Sequence, residues 1–151
     1  MNDTIAYFIT WTCYGTWLPG DPRGWHEWHN GWHDPNPKLE AYAKSIMTED
    51  SIDLKDQQRQ RVESTIDKHC SIRQWHLWAR NCRTNHVHVV VTAHDYDGET
   101  VREQLKAWCT RHLKSEFDKK RENWWTEGGY IKIIDNEDDL AAAIQYTNEA
   151  Q

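Results

Sequence analysis

The residues best suited to do chemistry are His86 and His88, in the run Asn85-His86-Val87-His88-Val89-Val90-Val91. Its β-branched composition, with polar residues at alternate positions, reads as a β-strand. Residues two apart on a strand project to one face, so this spacing presents two imidazoles side by side. Two neutral imidazoles on a rigid strand can share one divalent cation. A strand with two polar outward positions looks the same, and the chain has nine His, so the pair needs support from elsewhere.

A second candidate lies near the end of the chain. Asp135 or Asn136 can cap a final helix, whose first turn, Glu137-Asp138-Asp139, suits the positive end of its dipole. Leu140 and Ile144 mark the apolar side of that helix. Tyr146 falls about 200° from Ile144 around the wheel, off the apolar stripe. Its neighbours Ala142, Ala143 and Ala150 are small and leave the ring hydroxyl accessible, with Glu149 one turn away. The plain alternative is a packed aromatic.

The elements that must position these groups follow from periodicity. Ile5, Tyr7, Ile9, Trp11 and Cys13 alternate through Thr4–Tyr14 as a first strand. Residues 15–47 read as a long loop insertion, opened by Gly and Pro punctuation and rich in Trp and His, either a packed flap or a binding loop. Within it His26, His29 and His33 lack the helix or strand that normally fixes zinc ligands. A helix is expected from about Asp50 to His69, then a strand around Arg73 to Asn81, where Trp75, Leu77 and Ala79 alternate with polar residues. A short connection leads into the His86/His88 strand. Thr100 with Glu103 three residues on reads as a capping box for a second helix, with Val101, Leu105, Trp108, His112 and Leu113 on one side. Tyr130–Ile134 is the last strand. The order β-α-β-β-α-β plus a helix predicts an α+β class: a ferredoxin-like antiparallel sheet with helices on one face and an added C-terminal helix carrying the tyrosine.

Composition narrows the class. The 151 residues suit a single domain, 1–151, with a real core. No apolar run is long enough to span a bilayer and no leader pattern is present, so a soluble, cytoplasmic protein without a membrane partner is expected. Cys13, Cys70, Cys82 and Cys109 are widely spaced and read as reduced thiols. A net charge of −6 disfavours unspecific duplex binding. Residues 101–121 are nonetheless basic, with Arg102, Lys106, Arg111, Lys114, Lys119, Lys120 and Arg121. Such a run is often only a solvated helix face.

Taken together, Asn85-His86-Val87-His88, the late Tyr146, and the opening Ile9-Thr10-Trp11 through Gly15-Thr16-Trp17-Leu18-Pro19-Gly20 resemble the single-tyrosine HUH transposases of the insertion-sequence-200 type, including their REP-associated relatives. The resemblance covers nearly the whole chain. It implies metal-dependent cleavage and strand transfer of single-stranded DNA, that is, DNA transposition and recombination. It also implies that His86 and His88, with a polar residue on the tyrosine helix, hold Mg²⁺ or Mn²⁺, and that Tyr146 forms a 5′-phosphotyrosine. A free tyrosine hydroxyl, with a reference pKa of about 10, is a weak nucleophile that a nearby cation can activate. The family often carries Gln or Asn four residues after the tyrosine, where this chain has Ala150. Glu149 is the nearest substitute on an ideal helix, and its carboxylate suits a hard cation. Members commonly recognise hairpins and can form homodimers that swap the tyrosine helix.

Trp17, Arg23, Trp25, Trp124 and Trp125 are candidate DNA contacts, the Trp by stacking on unpaired bases and Arg23 on phosphate. Equally, these Trp could cap the sheet. Two other readings stay open: a replication-initiator-like or relaxase-like nickase with the same chemistry, and a catalytically silent single-stranded nucleic-acid-binding module.

Overall fold

In the computed structural model, which describes residues 3–27 and 31–149, one antiparallel sheet is assembled from strands far apart in sequence. Its members are β1 (Ala6–Thr12), β4 (His76–Cys82), β5 (His86–Thr92) and β6 (Tyr130–Ile134), in the spatial order β4-β5-β1-β6. Each crossover helix therefore joins two strands that have a third between them, which is the split arrangement of the ferredoxin-like class. The crossover helices are α2 (Asp56–Arg73) and α3 (Gly98–Glu116), and the C-terminal addition is α4 (Glu137–Glu149).

The two faces of the sheet are covered differently. Ile9, Trp11, Val87, Val89 and Val91 point toward α2 and α3, where they meet Val62, Ile66, Leu105 and Leu113 in the main core. Full burial of each such side chain contributes about 1.5–3 kcal/mol. On the other face Ala6, Ala79, Val90 and Ile134 form a smaller cluster against Leu140, Ala143 and Ile144 of α4. His86 and His88 have the same parity as Val90 and so belong to this second, incompletely covered face.

Several elements depart from the sequence expectation. The first crossover helix begins at Asp56 rather than Asp50, because Ile52 and Leu54 bond across to other segments: their backbone N–H groups donate to Tyr14 O (3.2 Å) and Thr84 O (2.6 Å). In β4 the register shifts between Leu77 and Ala79, so Leu77 packs on the main core while Ala79 packs beneath α4. Simple alternation through Trp75, Leu77 and Ala79 therefore fails at a bulge. Helix α3 is capped by Asp97, whose carboxylate accepts the Thr100 N–H at 2.7 Å; Thr100 lies inside the first turn. Its buried stripe runs through Val101, Leu105, Cys109 and Leu113, and Trp108 lies off it, 38% exposed.

The 15–47 insertion is not a bare loop. It folds as a hairpin of β2 (Trp25–Glu27) with β3 (Gly31–His33), followed by α1 (Pro37–Ser45). Trp28 and His29 lie outside the described residues. The four cysteines are buried free thiols, as the spacing implied. Among the described residues no helix is long and apolar enough to cross a membrane.

Candidate active site

The two His side chains arrive together by strand periodicity, their ring centroids 4.8 Å apart. Strand β1 is the neighbour that fixes them: Thr10 pairs with His88 and Thr12 with His86. The Thr10 hydroxyl lies 2.7 Å from His88 Nδ1, and the Asn85 side-chain oxygen accepts from His86 Nδ1 at 2.9 Å. The Phe8 ring stacks on His88 at 5.7 Å with planes 16° apart.

Tyr146 reaches the same place from α4. Asn136 caps that helix by accepting the Asp139 N–H at 2.8 Å. Its last turn is pinned to β4 by the Asn81 side chain, which donates to Thr147 O at 2.9 Å. Leu140 and Ile144 face the sheet as expected. Tyr146 sits just off that stripe, with its ring 5.4 Å from His88 and edge-on to Phe8 at 5.8 Å. It remains 57% exposed, so the ring is held at one edge and open to a substrate elsewhere.

Electrostatics keep His88 in the form a metal needs. Burial, followed by the neighbouring His86 and Arg83, lowers its pKa from 6.5 to about 4. The ring is therefore neutral at pH 7. Its Nε2 is buried and has no hydrogen-bond partner among the described residues. A neutral imidazole with an unsatisfied ring nitrogen, beside a second imidazole, fits a divalent cation. Among the described residues no third His, Cys, Asp or Glu joins them in a cluster of three. Glu149 follows Tyr146 on α4, and its carboxylate accepts from the Gln145 amide at 3.4 Å. Ala150 and Gln151 lie outside the described residues.

The aromatic candidates separate into two groups. Trp124 is 1% exposed in the main core and offers no face to a base. Trp125 is half-buried, edge-on to Trp11, and donates its indole N–H to Lys106 O. Both pack the sheet end, which is the structural role weighed against stacking. Trp17 donates to Gly24 O at 2.8 Å and lies under the Arg23 guanidinium, 4.0 Å from the ring centre. Arg23 is itself paired with Asp21 at 2.6 Å, which offsets its charge. Trp25 stacks on His33 at 4.5 Å, and among the described residues of the hairpin Trp32 is the most open indole.

The basic run also divides. Arg102 and Lys106 are buried and donate to the backbone: Arg102 to Gly129 O, and Lys106 to Thr126 O and Gly128 O at 2.8–2.9 Å. They clamp the segment before β6, where Thr126 accepts from the Thr12 hydroxyl next to His86. Arg111, Lys114 and Lys119 instead line a surface hollow of about 370 Å³ on the helix-covered side. Phe8, Thr10 and Asn81 were not singled out from sequence. The parity of β1 could have found the first two, once its register against β5 was known.

The family described as "Transposase IS200 like" matches residues 47–150, a span that includes His86, His88 and Tyr146 but not the Trp-rich hairpin. The fold is similar to that of a REP-associated tyrosine transposase bound to a REP hairpin, with 15% identity and a TM-score of 0.57 over 95% of this chain and 64% of that one. The chain thus spans less than two thirds of that protein's length. It is also similar to a Deinococcus radiodurans R1 protein described as a transposase, with 12% identity and a TM-score of 0.54 over 96% of this chain and 89% of that one. No curated protein matches by sequence. These identities speak to fold alone, whereas the family match takes in the paired imidazoles, the phenol beside them and well over half of the chain: it belongs to the IS200-like transposases.

Proposed function

We propose that the protein cleaves and rejoins single-stranded DNA during transposition, with Tyr146 as the nucleophile. The observation that carries this reading is the approach of an exposed phenol to within 5.4 Å, ring to ring, of a neutral imidazole paired with a second one. Family membership supports DNA as the substrate. The similar REP-associated protein is bound to a REP hairpin, which supports a hairpin-containing strand here.

In this reading the Tyr146 oxygen attacks a backbone phosphorus and the bond from phosphorus to the 3′-oxygen breaks. The departing oxygen takes up a proton to become a 3′-hydroxyl, and the phenol proton passes to solvent. The product is a 5′-phosphotyrosine that keeps the phosphodiester bond energy, so an incoming 3′-hydroxyl can reverse the step without ATP. His86 and His88 would hold Mg²⁺ or Mn²⁺; Glu149, which does not cluster with them in the structure, is the proposed third ligand and would have to swing in from the end of α4. When bound, that ion supplies Lewis acidity at a phosphate oxygen and a template for the strand. Phe8 and Asn81 hold the ring and the helix end in place, so the nucleophile is oriented before substrate arrives.

Incubating a 5′-labelled single-stranded hairpin substrate with the protein and Mn²⁺ tests the reading. The expected product is a shortened strand whose 3′-hydroxyl a polymerase can extend. Intact DNA, or a fragment ending in a 3′-phosphate, contradicts it.

A further inference from the structure

Strand β1 contributes no residue to the ligand set above, yet it makes a short polar contact with the site. Thr10 Oγ1 lies 2.7 Å from His88 Nδ1, across the register pair that joins β1 to β5. A hydroxyl can donate or accept, so the contact allows two arrangements. If Thr10 donates, the neutral ring must carry its proton on Nε2, burying an N–H with no acceptor among the described residues. If Thr10 accepts, the proton sits on Nδ1 and Nε2 carries a lone pair, the arrangement that a metal-ligating imidazole requires.

The neighbouring ring has a polar contact at the same nitrogen. His86 Nδ1 faces the Asn85 side-chain oxygen at 2.9 Å, and a carboxamide oxygen only accepts. His86 therefore carries its proton on Nδ1, with the Nε2 lone pair turned away from Asn85. A matching arrangement on His88 gives both rings the same tautomer, whereas the alternative gives neighbouring rings opposite ones. Phe8, stacked flat on His88, limits rotation of the ring out of this plane.

We infer that Thr10 is a positioning residue: it accepts the Nδ1–H of His88, fixing that ring in the tautomer that offers its Nε2 lone pair to a divalent cation. The metal half of this assignment rests on the proposed function. The tautomer half does not. The Thr10 hydroxyl adds no ligand and touches no reacting atom; it acts through His88.

The test uses the full chain labelled with ¹⁵N-histidine, free of metal and at neutral pH. In the wild type, His88 is expected to show a protonated-type Nδ1 and an unprotonated-type Nε2 resonance. Thr10→Val keeps the β-branched shape and removes the acceptor, so the Nε2–H form should appear. Mn²⁺ affinity by calorimetry should fall about 10–100-fold. Thr10→Ser should restore both properties, which a purely steric role for the threonine would not predict. A wild-type His88 protonated on Nε2 overturns the inference, as does a folded Thr10→Val protein with unchanged tautomer and affinity. A wild type that shows the expected tautomer but binds no Mn²⁺ upholds the Thr10–His88 bond and counts against the metal-dependent function instead.

Discussion

His88 should make the protein acid-sensitive in a window set by its own environment. Its pKa falls from 6.5 to about 4 on folding, chiefly because burial penalises the charged ring. Above pH 6.5 the ring is neutral in both states and costs nothing. As pH falls below 6.5 the unfolded chain takes up the proton first, so stability is lost until the folded ring also protonates near pH 4. Each pH unit of that gap is worth about 1.4 kcal/mol, which sets the loss at about 3 kcal/mol. The ring is only 5% exposed, so solvent screening reduces this little. Urea unfolding of wild type and His88→Gln at pH 7.5, 5.5 and 4, in metal-free buffer, isolates the effect, since the other titrating groups are common to both. The stability difference between the two proteins should move by about 3 kcal/mol from pH 7.5 to 4, with wild type losing more. A difference that stays constant within about 0.5 kcal/mol would refute the claim that His88 is held neutral by burial.

Three further outcomes can be checked. Lys106→Met keeps the buried stem but removes the donor to Thr126 O and Gly128 O, and should cost about 1–3 kcal/mol in urea unfolding. Trp124→Ala should destabilise by about 3–5 kcal/mol because the indole fills the core; normal stability with weakened single-strand binding would restore the stacking role. Glu149→Ala should raise the Mn²⁺ dissociation constant in calorimetry, and an unchanged constant removes it from the proposed ligand set.

Much of the architecture was legible because the signals were local. The Tyr130–Ile134 strand and the Asn136-capped final helix stand where periodicity and capping put them. The His pair and the off-stripe Tyr146 were likewise visible from period two and period 3.6. What could not be read depends on partners distant in sequence. The extended path of Ile52 and Leu54 depends on Tyr14 and Thr84, and the bulge in β4 on its pairing with β5. Arg102 and Lys106 look like solvated cations in the sequence because their acceptors, backbone carbonyls 20 to 27 residues on, carry no sequence signature. Thr10 has no meaning until the β1–β5 register sets it against His88.

The phenolic oxygen of Tyr146 is the atom proposed to join protein to DNA. Wild-type protein incubated with a single-stranded hairpin substrate and Mn²⁺, then digested with protease and nuclease, should yield one peptide carrying a nucleotide phosphate, and fragmentation should locate that phosphate on Tyr146. Tyr146→Phe should yield none. A modified peptide that lacks Tyr146, or an adduct that persists in the Phe variant, would contradict it.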